Sequence, residues 1–282
     1  MLSRVRHSRP VLLLASSHPG PSFTVAAICV VLGITSHLEL WRIATIGLAV
    51  LLGQFSVGLS NDWLDADRDR AIGRRDKPVA LGYIAATTVR NAAVTSGLVG
   101  LAATILVGIP ATAAHAVFMA AGWSYNFGLK NTYLSVVPYA LGFGALPAIV
   151  TLALHTPELP AWWVVAAGAA LGVAAHFANA LPDLADDRAT GIIGLPHLLG
   201  SRMSSLVTLA ALAAASWFVV FSPGTSLGIV GWSAFCVEAA VVISGTVLVL
   251  TRPPGRPLFR LVILGALVAV VSLALVGGQL LG

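Results

Sequence analysis

Nine apolar runs fill most of this chain, at residues 21–38, 42–60, 91–109, 111–128, 134–154, 161–181, 204–222, 226–250 and 258–281. A helix that crosses a bilayer needs roughly 20 mostly apolar residues. Inside lipid, only helices and closed barrels satisfy their own backbone groups. Nine such runs in 282 residues leave little room for a soluble reading, in which they would be buried core helices. Composition agrees: 57% of residues are hydrophobic and 10% are charged, with a mean hydropathy of +0.91, where soluble domains carry about 25% charged residues. Pro110 marks a tight turn between the third and fourth runs. The expectation is an all-α, polytopic membrane protein of nine transmembrane helices, one membrane-embedded domain over 1–282.

The charges orient it. With the N-terminus inside, the loops after the second, fourth, sixth and eighth runs, together with the N-terminal segment, hold 15 of the 16 basic residues; only Arg42 falls outside. That asymmetry follows the positive-inside rule and makes the lipid bilayer the first partner. It also accounts for a pI near 9.8 without nucleic acid, which is excluded as a partner because the basic residues sit in short loops between apolar runs. Cys29 and Cys236 both lie inside apolar runs and form neither a disulfide framework nor a zinc site. The run Val11 to Ala15 is too short for a signal-peptide core and reads as a cytoplasmic lead-in. The expected location is a bacterial plasma membrane.

Eight of the eleven acidic residues gather in two places: Asp62, Asp65, Asp67, Asp69 and Asp76 after the second run, and Asp183, Asp186 and Asp187 after the sixth. Both groups fall on the cytoplasmic side, four runs apart. The spacing hints at a duplicated four-helix unit, 21–128 and 134–250, with 258–281 appended. Asp62, Asp65 and Asp69 stand at i, i+3 and i+7, and Asn179, Asp183 and Asp187 at i, i+4 and i+8, so each set shares one helix face. Asp67 points about 140° away from Asp62. Two carboxylate-lined helix ends can therefore face one cavity.

Clustered carboxylates repel in a low dielectric unless a counter-charge joins them. Oxygen-only ligands suit a hard divalent cation, and Mg²⁺ typically takes one or two carboxylates plus substrate phosphates. Arg68, Arg70, Arg74, Arg75 and Lys77 flank the first group and Arg188 the second. Metal on some oxygens and Arg or Lys on others is what a diphosphate needs. The alternatives are a solvated loop of paired charges and, for the basic residues, ordinary positive-inside anchors.

Two stretches carry a resemblance. Asn61-Asp62-Trp63-Leu64-Asp65-Ala66-Asp67-Arg68-Asp69 matches the NDxxDxxxD motif of the UbiA superfamily of intramembrane prenyltransferases, and Asp183-Leu184-Ala185-Asp186-Asp187 resembles its second, DxxxD motif. Tyr125-Asn126-Phe127-Gly128-Leu129-Lys130 is similar to the segment that follows the family's fourth helix. The resemblance implies nine helices around a central cavity, a prenyl diphosphate donor, a lipophilic or aromatic acceptor and Mg²⁺ as cofactor. By motif position, Asp62, Asp65, Asp69, Asp183 and Asp187 would be catalytic and hold the metal. Asn61, Arg74, Lys77, Tyr125, Lys130 and Asn179 would bind substrate.

The chain departs from the family pattern at Lys77, where many members have Arg before the proline, and at Gly194, where a Thr is usual; there a hydroxyl contact is lost. His197 reads as an interfacial loop residue. No motif specifies the acceptor, whose side of the site is expected around His18, Pro19, Ser22 and Ser135. Three rival functions are a transferase of the same fold using another activated donor such as a phosphoribosyl diphosphate, a secondary transporter, and a membrane scaffold without catalysis. A transporter would set its ionisable residues near mid-membrane, and only Glu238 lies deep in a run.

Overall fold

The computed structural model describes residues 8–182, 184, 193–222, 228–252, 255–275 and 280–281, and shows helices and no strand among them. In chain order these are α1 (Arg9–Ser16), α2 (Pro19–Thr35), α3 (Leu40–Leu64), α4 (Ala66–Ala71), α5 (Ala86–Ile105), α6 (Ile109–Phe127), α7 (Val137–Thr151), α8 (Trp162–Ala180), α9 (Leu195–Phe221), α10 (Ile229–Thr251) and α11 (Arg256–Leu275). Setting aside the short α1 and α4, nine long helices among the described residues take the places of the nine apolar runs. By length and hydropathy α3, α8, α9 and α10 suffice to cross a membrane, and α1 with α2, bent by 69°, makes a fifth if the pair is one span. The all-α membrane architecture stands on these. α7 has 15 residues, about 22 Å at the helical rise, shorter than a typical hydrocarbon core of about 30 Å.

Several helices begin earlier than the apolar runs: α5 starts at Ala86 rather than 91, and α9 at Leu195 rather than 204. Hydropathy marks the lipid-embedded stretch, whereas the helix continues with polar residues beyond it. In α9 the early turn is set apart by Gly200, whose φ of 77° breaks the helix and is accessible to a residue without Cβ.

Around the bundle α5 backs α3, and α2, α3, α6, α7 and α8 wall a central space; α11 packs on α8, α9 and α2, with α10 beyond it. The main core joins Ile46 and Val50 of α3, Ile149 and Val150 of α7, Val164 and Ala167 of α8, and Leu212 of α9, all fully buried. Large apolar side chains instead cover the exterior, among them Leu98, Ile243 and Leu267. In water such a surface would be an association site; in lipid it is the solvated face. Exposed Trp41, Trp162, Trp217 and Trp232 lie at one end of the bundle and Tyr83 and Tyr133 at the other, as aromatic residues do at membrane interfaces.

Arg42, the one basic residue expected on the far side, has a structural role there. Its guanidinium donates to the carbonyls of Val107 (3.3 Å) and Ala153 (2.7 Å), just past the ends of α5 and α7, while Glu39 pairs with it at 2.6 Å. Helix C-termini leave carbonyls unsatisfied and favour cations. At the opposite end α1 folds over α3 so tightly that a Cβ on Gly58 would lie 2.2 Å from the Ser17 carbonyl oxygen. His18 sits at this bend in a left-handed conformation (φ 53°), which brings its ring over the central space.

Candidate functional site

α3 does not run unbroken through the first acidic motif. It ends at Leu64, Asp65 caps it and opens α4, and Asp69 falls on that second helix. The three carboxylates nonetheless stay together and buried, while Asp67 turns outward, 98% exposed and paired with Arg70 at 2.8 Å. The helix-face expectation for these four residues therefore holds across the break.

Each buried carboxylate meets a cation. Lys77 Nζ lies 3.2 Å from Asp62 Oδ1. Lys130, on the short 3-10 turn after α6, donates to Asp65 Oδ1. Arg68 bridges Asp65 Oδ2 (3.1 Å) and Asp69 Oδ1 (3.3 Å). Asn61 donates to Asp65 Oδ2 at 3.0 Å and accepts from Lys77 at 3.4 Å. Burial pushes the Asp69 carboxyl up, with Arg68 and Lys77 pulling it back, and burial lowers the Lys130 ammonium against the opposing charge of Asp65. Arg74 forks onto Asp76 through two bonds of 2.8 Å, which hold the Asp76 carboxyl down at about 2.

These groups line a polar cavity of about 210 Å³ that includes Asn61, Asp65, Asp69, Arg74, Lys77, Tyr125, Lys130 and Asn179. Eight expected site residues thus line one cavity. Asp62 is buried beside Lys77 and is not part of the lining; Asp183 and Asp187 lie outside the described residues. Next to the polar cavity is an apolar one of about 280 Å³, walled by Phe118, Pro138, Gly142 and Phe143 among others. His18, Asn61, Tyr125 and Asn179 line both.

The site also holds residues to which the sequence assigned no role. Asn126 donates to Val57 O (2.9 Å) and Ser60 Oγ (2.8 Å) and accepts from Asn61 at 3.3 Å, so it fixes Asn61 from α6. His176 pairs with Ser135 Oγ at 3.0 Å, and that oxygen accepts the Leu195 N–H. His176 lies three residues before Asn179, the helical spacing that could have flagged it. His197 is buried rather than interfacial, and its Nδ1 accepts the Gly194 N–H at 3.1 Å. A Cβ on Gly194 would stand 2.6 Å from the Lys130 carbonyl oxygen. The glycine lets that strand of chain pass close to the Lys130 turn, whereas the sequence alone registered only a lost hydroxyl.

The donor set fits a hard divalent cation. Asp62, Asp65 and Asp69 offer only carboxylate oxygens, and Oδ2 of Asp62 is buried with neither a hydrogen bond nor an ion pair. Among the described residues no three His, Cys, Asp or Glu already form a metal cage.

The chain matches the model of the UbiA prenyltransferase family over residues 22–262. No functionally curated protein matches the sequence. Solved structures do. A UbiA homolog from Archaeoglobus fulgidus bound to GPP and Mg²⁺ superposes with a TM-score of 0.73 at 13% identity, covering 95% of this chain and 99% of that one. A UbiA homolog from Aeropyrum pernix K1 gives 0.72 at 18% identity, covering 90% and 97%. A digeranylgeranylglyceryl phosphate synthase gives 0.71 at 13% identity, covering 95% and 98%. At such identities the likeness is one of fold.

Proposed function

We propose, for a chain that belongs to the UbiA prenyltransferase family, that this membrane prenyltransferase moves a short isoprenoid from a Mg²⁺-bound prenyl diphosphate to a lipophilic or aromatic acceptor. The observation that carries this reading is the joined pair of cavities, one polar and charged, the other apolar, meeting at His18, Asn61, Tyr125 and Asn179. A prenyl diphosphate has the same two halves. A phosphoribosyl donor would find polar partners at Gln54, Asn126 and Asn179, but the surface of Phe118, Pro138 and Phe143 offers sugar hydroxyls none and suits an isoprenoid better.

In this reading Asp62, Asp65 and Asp69, with Asp183 and Asp187 from the second motif, hold the metal. The metal supplies positive charge to the departing diphosphate. Lys77, Lys130 and Arg74 take diphosphate oxygens, and Asn61, held by Asn126, orients Lys77 and Asp65. Breaking the allylic C–O bond sends its electron pair to the diphosphate and leaves a cationic carbon at the junction of the cavities. The Tyr125 ring, braced edge-on by Tyr139 at 5.2 Å, presents π density there. The acceptor then forms the new bond and gives up a proton. The archaeal structure with GPP and Mg²⁺ supports the donor and the metal.

The chain is read as a single domain with nine spans and a polar cavity opening to the cytoplasm, and the four-helix repeat remains part of this reading. The test is equilibrium binding of geranyl diphosphate and inorganic pyrophosphate to the purified protein with Mg²⁺ or with excess EDTA. Both should bind with Mg²⁺ and lose affinity in EDTA. Equal binding in EDTA removes the metal from the proposal.

A further inference from the structure

We infer that Phe143 is the floor of the donor site and sets the length of isoprenoid the protein accepts. The inference deepens the proposed function, since it requires the isoprenoid to lie in the apolar cavity. Phe143 lines that cavity, and it also lines a second, smaller apolar cavity of about 20 Å³ deeper in the bundle, whose walls include Ile28, Leu146, Pro147, Leu171 and Val270. Phe143 is the residue common to the two. It divides an apolar path that starts beside the charged cavity and continues toward α11.

Two features fix this divider. The first is Pro147, inside α7 and four residues beyond Phe143. Proline has no N–H, so the Phe143 carbonyl loses its helical partner and α7 is loosened where the smaller cavity forms. The second is the contact with α8. A Cβ on Gly168 would lie 2.6 Å from the Phe143 carbonyl oxygen, and one on Gly172 would lie 2.2 Å from the Tyr139 carbonyl oxygen and 3.0 Å from Phe143 Cβ. α8 therefore presses bare backbone against Phe143. The ring also lies nearly parallel to that of Tyr139, with centroids 6.4 Å apart and planes 12° apart. The backbone is held, and the side chain alone decides whether the cavities join. At about 280 Å³ the upper cavity stands just below the usual range for ligand sites, which matches a short chain.

The experiment measures affinity for dimethylallyl, geranyl, farnesyl and geranylgeranyl diphosphates with Mg²⁺, with inorganic pyrophosphate as the headgroup control. Wild type, Phe143→Ala, Phe143→Leu and Phe143→Trp are compared in detergent after their thermal unfolding is recorded. Wild type should bind a short donor best. Phe143→Ala should move the optimum to a longer donor, with about a tenfold gain for that donor relative to geranyl diphosphate, as expected when a few more methylenes are buried. Phe143→Trp should move it the other way, and pyrophosphate affinity should not change. Phe143→Leu removes less volume and carries the test if the alanine variant does not fold. If the variants keep the wild-type order of donors while all still bind prenyl diphosphates more tightly than pyrophosphate, the floor is wrong and the donor reading stands. If wild type binds no prenyl diphosphate more tightly than pyrophosphate, the donor reading falls and the floor with it.

Discussion

Lys77 Nζ lies 3.2 Å from Asp62 Oδ1, and both side chains are withdrawn from solvent. Neither residue could stand there alone. The same ammonium lies 2.8 Å from His18 Nε2, so one lysine ties the first acidic motif to the bend between α1 and α2. Removing one partner of a buried ion pair typically costs about 3–5 kcal/mol, while replacing both with apolar groups can be nearly neutral. Lys77→Met should therefore lower the thermal midpoint in detergent well below wild type, and Lys77→Met with Asp62→Leu should recover much of the loss. Pyrophosphate binding should vanish in both. A single variant as stable as wild type would show that the pair is not stabilising.

The acidic motif separates by exposure. Asp67→Ala removes a carboxylate that is 98% exposed and paired only with half-exposed Arg70, a contact worth roughly 0–1 kcal/mol. Mg²⁺-dependent pyrophosphate binding should stay within about twofold of wild type. Asp65→Ala and Asp62→Ala should abolish it. All three delete one negative charge, so the comparison isolates position. Equal damage from Asp67→Ala would overturn the division between buried and solvent-facing acids.

How much of this was legible in the sequence depends on the kind of signal. Apolar runs located the long helices because lipid imposes a composition that soluble packing does not. The ends were misplaced where polar residues continue a helix past the lipid, as at Ala86 and Leu195. Helix phase grouped Asp62, Asp65 and Asp69 and set Asp67 apart, although a break at Asp65 interrupts the helix. Nothing in the local pattern could reveal that Asn126 grips Asn61, that His176 meets Ser135 across 41 positions, or that Phe143 lines two cavities. Those relations join distant segments and exist only once the bundle is packed.

Orientation can be tested chemically. With Cys236, which is exposed, replaced by serine and Cys29 left buried, single cysteines at Tyr83 and at His155 should react from opposite sides of sealed vesicles. Tyr83 belongs to the end bearing the charged cavity, and His155 to the end where Arg42 caps helix carbonyls. The Tyr83 site should label only from the cytoplasmic side. Labelling of both sites from one side would refute the topology.

Gly194 offers a test of how the Lys130 turn is positioned. Its φ of −80° suits any residue, so conformational strain is not at issue. The obstacle is space, because the added Cβ of Gly194→Ala would come within 2.6 Å of the Lys130 carbonyl oxygen and 3.1 Å of Ser135 Oγ. Backbone must then move, at a cost of about 1–3 kcal/mol for overpacking. The movement reaches the site, because Lys130 pairs with Asp65 and lines the polar cavity. Gly194→Ala should lower the thermal midpoint and weaken pyrophosphate binding by about tenfold or more, since a loss of about 1.4 kcal/mol is a factor of ten. Gly228→Ser is the control, since a Cβ there meets nothing within 4 Å and its φ of −69° at the start of α10 suits serine, and it should leave pyrophosphate binding unchanged without lowering the thermal midpoint. If Gly194→Ala binds pyrophosphate as wild type does, the Lys130 turn tolerates displacement and the close passage at Gly194 has no bearing on the diphosphate.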